Sequence, residues 1–165
     1  MNSSTVPRYL LYSEAASSFA SQGHPQGHWR FCLKTADGSL KLEASDNEFL
    51  PAPRLELLAV VRGLEALEQP SVVTLLTDSR YVHRGLRFGM PQWRSNDWQW
   101  EKFGEMAPIQ DDDLWRRIDR ALDFHELHCR VLRRDSPRAK APAPKVLKRR
   151  KKGWRLALGA LWGAS

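Results

Sequence analysis

An apolar run that ends on a carboxylate limits this chain more than any other feature. Residues 71–78 read SVVTLLTD. The run has the length of a strand and is almost free of polar side chains. Pro70 precedes it and a helical pattern follows, so it reads as a parallel strand covered on both faces. Such a strand needs helices above and below it, and an α/β fold is expected. The terminal Asp78 has two readings. It caps the helix that follows, or it stands at the carboxyl end of a central strand, where α/β sheets gather their chemistry.

The flanking segments fill in the rest. Residues 7–13 are a short strand candidate. Residues 28–34 (HWRFCLK) turn Trp29, Phe31 and Leu33 to one face at strand period. An ADG turn follows, and residues 39–45 alternate Leu40, Leu42 and Ala44. These three strands are expected to form an antiparallel meander. Residues 54–69, entered through Pro-Ala-Pro, carry Leu57, Val61 and Leu64 on one helical face and stop at Pro70. Residues 79–88 open a second helix. Residues 89–110 are rich in aromatics and poor in pattern, and are expected as loop and short helix. Residues 111–125 form a helix with acids at its start and Leu114, Ile118, Ala121 and Leu122 at core spacing. Residues 126–133 alternate Leu127, Cys129 and Val131 as a fifth strand. The order predicts a mixed five-stranded sheet, three antiparallel strands and then parallel ones, flanked by helices.

Charge divides the chain. Of 26 Lys/Arg, nine fall in residues 136–165, which hold no acid; the first 135 residues carry 17 bases against all 19 acids. The overall charge of +7 therefore belongs to the tail and says nothing of a basic domain. Residues 7–135 are expected to fold as one domain. Residues 136–165 read as a basic Pro/Lys/Arg-rich tail with an apolar end. Cys32 and Cys129 match no metal spacing and are expected as core thiols of a reducing compartment. The N-terminus lacks the basic and apolar segments of a signal peptide, and no run of about 18 apolar residues exists. No membrane span and a cytoplasmic location are expected.

Three acids converge in this layout. Glu14 is expected just past the first strand, Glu56 in the first turn of the first long helix, and Asp78 at the end of the fourth strand. Strands one and four would be parallel neighbours at the sheet centre, their carboxyl ends side by side. Clustered carboxylates repel, and a hard cation is their natural partner. Two such ions support both the attacking and the leaving oxygen of a phosphodiester displacement. Each acid alone has an ordinary reading: Asp78 as an N-cap, Glu56 as a complement to the helix dipole, Glu14 as a solvated loop acid. His24 and His28 stand four apart among glycines and a proline, and are read as loop residues rather than a metal pair.

The blocks PRLELLAVVRGLEAL, LLTDSRYVHRGL and DDDLWRRIDRALDFHEL resemble ribonuclease H of the bacterial type. That family carries an R-M-E-L-M-A helix start, a T-D-S-x-Y-V strand end and a D-L-W helix followed by H-x-I. The resemblance runs from about residue 9 to residue 133. Trp93 and Trp98 stand in the family's W-K-x-x-x-W stretch, with Arg94 for the lysine. The resemblance implies an RNase H-like fold, with Glu14, Glu56 and Asp78 as catalytic residues and ligands of Mg²⁺ or Mn²⁺. It implies nucleic acid as partner, an RNA–DNA hybrid whose RNA strand is hydrolysed, with Trp93 and Trp98 in contact with it. No small-molecule cofactor is implied.

The chain also departs from that pattern. Glu14 replaces the aspartate of T-D-G-S, and Ala15 replaces its glycine. Ala52 and Pro53 stand where a pair of asparagines is expected. No histidine follows His128, and Asp135 is the last acid, so Asp135 alone could stand in for the family's fourth carboxylate. Activity is accordingly expected to be weakened or lost. The alternative is a non-catalytic RNase H-fold module that binds nucleic acid or protein. In the tail, Lys148, Arg149, Arg150, Lys151 and Lys152 are expected to neutralise phosphates, with Trp154 stacking on a base. Contact with an anionic membrane surface and a solvated charge run are the other readings of that segment.

Overall fold

The computed structural model describes residues 5–19 and 25–133. Strands β1 (Arg8–Phe19), β2 (Pro25–Thr35) and β3 (Leu40–Glu48) come first, followed by helix α1 (Ala52–Glu65) and strand β4 (Val72–Thr77). Helix α2 (Arg80–Arg84) runs through a π-helical segment (Gly85–Gly89) into α3 (Met90–Ser95). A hairpin, β5 (Gln99–Lys102) and β6 (Glu105–Pro108), leads to α4 (Asp112–Leu122) and β7 (Glu126–Val131). The main sheet has the order β3-β2-β1-β4-β7. β1, β2 and β3 pair antiparallel, while β4 pairs parallel with both β1 and β7. This is the expected mixed sheet, with β1 at its centre.

Strand period decides which side chains enter the core. β1 buries Tyr9, Leu11 and Ser13; β2 buries Trp29, Phe31 and Leu33; β4 buries Val73, Leu75 and Thr77. Helix α1 lies on that face. It buries Leu55, Leu57, Leu58, Val60, Val61 and Leu64, more than the single stripe expected, because α4 packs along it as well. Each such side chain contributes about 1.5–3 kcal/mol when withdrawn from water. The other face of β4 is only half-buried, at Thr74 and Leu76, and not closed as the apolar run suggested. Trp115 is wholly buried and lies against Gly85, where a Cβ would stand 2.1 Å from the indole ring.

Several expectations need correction. β1 continues to Phe19, so Glu14 lies inside the strand rather than beyond it. Helix α1 begins at Ala52 and ends at Glu65, which places Glu56 just past the first turn. Leu40 and Leu42 do not enter the core; they are 56% and 43% exposed, because β3 lies at the edge of the sheet. His28 belongs to β2 rather than to a loop. Within residues 89–110 the short helix is present, but a hairpin accompanies it. Its turn places Phe103 at φ 54° and Gly104 at φ 83°, the left-handed pair that a tight two-residue turn requires. His24, Asp135 and the whole of residues 136–165 lie outside the described residues, and with them the nucleic-acid and membrane readings of the tail. Among the described residues no helix is long and apolar enough to cross a membrane.

Candidate active site

Parallel pairing sets Ser13 opposite Thr77, so Glu14, within β1, and Asp78, the residue that follows β4, come next. Both line one cavity of about 290 Å³, together with Tyr12, Arg30, Lys34 and Leu76. The sheet thus brings two of the three expected carboxylates to one place. It also brings two cations there.

Register accounts for the first cation. Glu14 lies directly opposite Arg30 across the antiparallel β1–β2 pair. The guanidinium donates from Nη1 to Glu14 Oε1 at 3.4 Å and from Nη2 to Glu43 Oε2 at 3.0 Å. Glu43 has the stronger hold: its hydrogen bond, ahead of the charge of Glu14, raises the Arg30 pKa. Arg30 and Glu14 are both about half exposed, and solvent-exposed pairs of this kind are weak. Glu14 is therefore turned toward a protein cation, but loosely.

Glu56 reaches the end of β4 from the helix side. The Ser79 hydroxyl donates to Glu56 Oε2 and accepts from the Val82 amide at 3.1 Å. Ser79, not Asp78, is the N-cap of α2, so the capping explanation of Asp78 falls away. Ser79 is itself a buried residue, 4% exposed, which fixes the position of its hydroxyl.

Does this set suit the divalent ion on which the family generally depends? Its donor chemistry does, since carboxylates are the hard oxygen ligands that such ions take. Its arrangement does not. Among the described residues no group of three or more His, Cys, Asp or Glu stands at metal-holding spacing. Glu14 leans on Arg30, and Glu56 is engaged by Ser79.

The start of α1 is fixed by a second polar cluster. Arg54 donates to Asp111 at 3.0 Å and grips both carboxylate oxygens of Asp113 at 2.9 and 2.6 Å. Tyr81 donates to Asp111 at 2.9 Å and accepts from the Trp115 indole at 3.2 Å. Asp111 adopts φ 56°, a left-handed conformation that aspartate takes more readily than most residues, and its carboxylate accepts from donors on two neighbouring elements. Burial pushes the Tyr81 phenol up to about 12, and Arg54 holds Asp113 below the usual carboxylate range. The cluster ties α1, α2 and α4 together two residues from Glu56.

The tryptophans expected to meet nucleic acid are engaged in packing. Trp98 is 7% exposed and lies under the Arg116 guanidinium at 5.5 Å; the half-buried Trp93 ring is 5.1 Å from that of Trp115. On the hairpin, Trp100 and, at its tip, Phe103 are exposed. Neither was singled out from sequence, nor were Arg30 and Ser79. The serine of the TDS block carries its signal in the sequence, at the position before a helix; the place of Arg30 depends on the β1–β2 register.

A mixed sheet with carboxylates at the joint of its parallel strands defines the class of protein. Residues 7–133 match the family model described as RNase H. The ribonuclease H of Rhodospirillum rubrum is 40% identical over 109 residues, a match covering 66% of this chain and 63% of that protein, just under two thirds of its length. The ribonuclease H of Nitrobacter hamburgensis is 33% identical over 128 residues, 77% of this chain and 80% of that one. Among solved structures, LC9-RNase H1, described as a type 1 RNase H with the type 2 active-site motif, aligns with TM-score 0.64 and 20% identity over 80% of this chain and 65% of that one. A foamy viral protease-reverse transcriptase in complex with RNA/DNA hybrid aligns with TM-score 0.65 and 18% identity over 74% of this chain and 17% of that one. The chain belongs to the RNase H family.

Proposed function

We propose that this chain binds RNA–DNA hybrids and hydrolyses their RNA strand weakly, as an RNase H whose carboxylate set is compromised at Glu14. The observation that carries the reading is the Arg30–Glu14 contact inside the cavity that Glu14 shares with Asp78. Family membership supports nucleic acid as the target, and Glu56 and Asp78 keep the expected carboxylates on helix and strand. Against full activity stand the longer side chain at Glu14, the methyl of Ala15, and the loss of hydrogen-bonding side chains at Ala52 and Pro53. Groups that act as a unit lose most of their effect when several are altered.

The test is turnover of a labelled RNA–DNA hybrid with Mg²⁺ and with Mn²⁺. Slow cleavage is expected, faster with Mn²⁺, which oxygen and mixed sites hold more tightly in the divalent series than Mg²⁺. Glu14→Asp should raise the rate, because the shorter side chain draws away from Arg30. Asp78→Asn should abolish it. Brisk Mg²⁺-dependent cleavage by the wild type would overturn the reading of weakened activity. No cleavage by wild type or Glu14→Asp, with hybrid binding retained, would leave a binding module without catalysis.

A further inference from the structure

A second groove, of about 690 Å³, lies away from the carboxylates. Arg8, Thr74, His83, Arg87, His128 and Arg130 line it, with apolar side chains between them. No carboxylate does. Five other arginines, Arg30, Arg54, Arg94, Arg116 and Arg117, each pair with an acid. Among the described residues Arg8 and Arg130 have no such partner, and Arg87 has only the Phe88 ring, 5.1 Å from its guanidinium. All three are exposed. Glu126 touches one lining side chain, 2.7 Å from His128 Nε2. The first 135 residues hold more acids than bases, yet the lining of this groove carries three arginines and no carboxylate. Clefts lined by one sign of charge concentrate the opposite ion.

We propose that this groove holds the phosphate backbone of the nucleic acid on which the chain acts. The inference rests on the nucleic-acid reading above and adds a place of contact to it. Distance favours a shared ligand. Thr74 and Asp78 are four residues apart on the β4 line, roughly 13 Å of extended chain. That span equals about four base-pair rises of a duplex, at about 3.4 Å each, so one hybrid is long enough to meet both places. Guanidinium groups suit this task, since their fork of donors matches phosphate oxygens.

The experiment uses the full chain, a fluorescein-labelled hybrid of about 16 base pairs, and EDTA to prevent cleavage. Affinity is measured by anisotropy across a series of salt concentrations. Changing Arg8, Arg87 and Arg130 together to Gln should weaken binding about tenfold and flatten the salt slope by roughly one unit per lost phosphate contact. Changing the same three to Lys should recover most of the slope. Circular dichroism and thermal melting confirm that both triple variants fold. An unchanged slope in a folded Gln variant, or equal affinities for the Gln and Lys variants, would overturn the groove while leaving hybrid binding intact. Absence of hybrid binding by the wild type would overturn the nucleic-acid reading itself. Inorganic phosphate is titrated as a competitor. If it saturates the groove at low millimolar concentration without displacing hybrid, the site belongs to a free anion and the proposal fails.

Discussion

The Ser79 hydroxyl donates to Glu56 while it caps helix α2, so one side chain joins the start of the second helix to a carboxylate of the first. Ser79→Ala removes both contacts. The lost cap alone costs about 1 kcal/mol. A lower urea midpoint with an unchanged slope is expected. An unchanged midpoint would mean that the cap contributes nothing.

Arg30 divides its guanidinium between Glu14 and Glu43. Arg30→Gln releases Glu14 to other cations, and Mn²⁺ affinity, read by calorimetry, should rise several-fold. Glu43→Gln leaves Glu14 as the only acid paired with Arg30 and should lower that affinity. Equal affinities in both variants would show that Arg30 does not compete for Glu14.

Close approach of the π-helical segment to Trp115 sets a steric limit. Gly85→Ala drives a methyl group into the buried ring and should destabilise the domain by about 1–3 kcal/mol. The same change at Gly38, where a Cβ meets nothing within 4 Å, is strained through its φ of 87° rather than through contact. Chemical denaturation of the two variants, with near-UV circular dichroism to report the Trp115 environment, separates these causes.

Acid should destabilise the fold in two stages. Burial holds the His125 imidazole below its usual value of 6.5, and its Nδ1 has no partner among the described residues. A group with a depressed pKa favours the unfolded chain once that chain takes up the proton, so stability falls as pH drops through 6.5 and levels off below the lowered folded value. At lower pH come Glu65 and Asp113, held below the carboxylate range by bidentate contacts from Arg117 and Arg54. Their contribution is present above the unfolded carboxylate value and is lost as pH falls through the lowered one. His125→Phe should flatten the first stage and Arg117→Gln part of the second. Denaturation curves from pH 8 to pH 3 will show whether the two stages separate.

Cys32 and Cys129 are free but only half-buried, and neither lies in the core: Cys129 packs against its margin and Cys32 lines the cavity beside Glu14. Burial pushes the Cys129 thiol up to about 11, which leaves little thiolate near neutrality. Iodoacetamide at pH 8 should label Cys129 slowly in the native protein and quickly in urea. Equal rates, measured by mass spectrometry, would show that the edge of β7 opens.

Much of this architecture was legible because it depends on local pattern. The alternation of Trp29, Phe31 and Leu33, the apolar run into Asp78 and the spacing of Leu114 and Ile118 each specify an element by period alone. What stayed hidden depends on register or on the neighbours of a residue. The pairing of Glu14 with Arg30 requires the alignment of β1 and β2. The small and polar residues of SEAASS gave no sign that β1 runs on past Ser13. Trp93 and Trp98 carry the same ring whether it meets a base or Trp115. The hairpin escaped notice because its strands have four residues each, and because phenylalanine is unusual at the left-handed turn position held by Phe103.

β3 is the exposed rim of the main sheet, with one ladder of backbone groups turned away from its neighbour. A strand in that position is a template on which another chain can build. Along it stand Lys41, Glu43, Asp46 and Glu48, so two copies meeting rim to rim bring mostly like charges together. Repulsion of that sort reaches only as far as the ions in solution allow, about 10 Å in 0.1 M salt and 3 Å in 1 M. The colloidal behaviour of this protein is thus tied to ionic strength: concentrated brine lowers the barrier that keeps its own molecules apart.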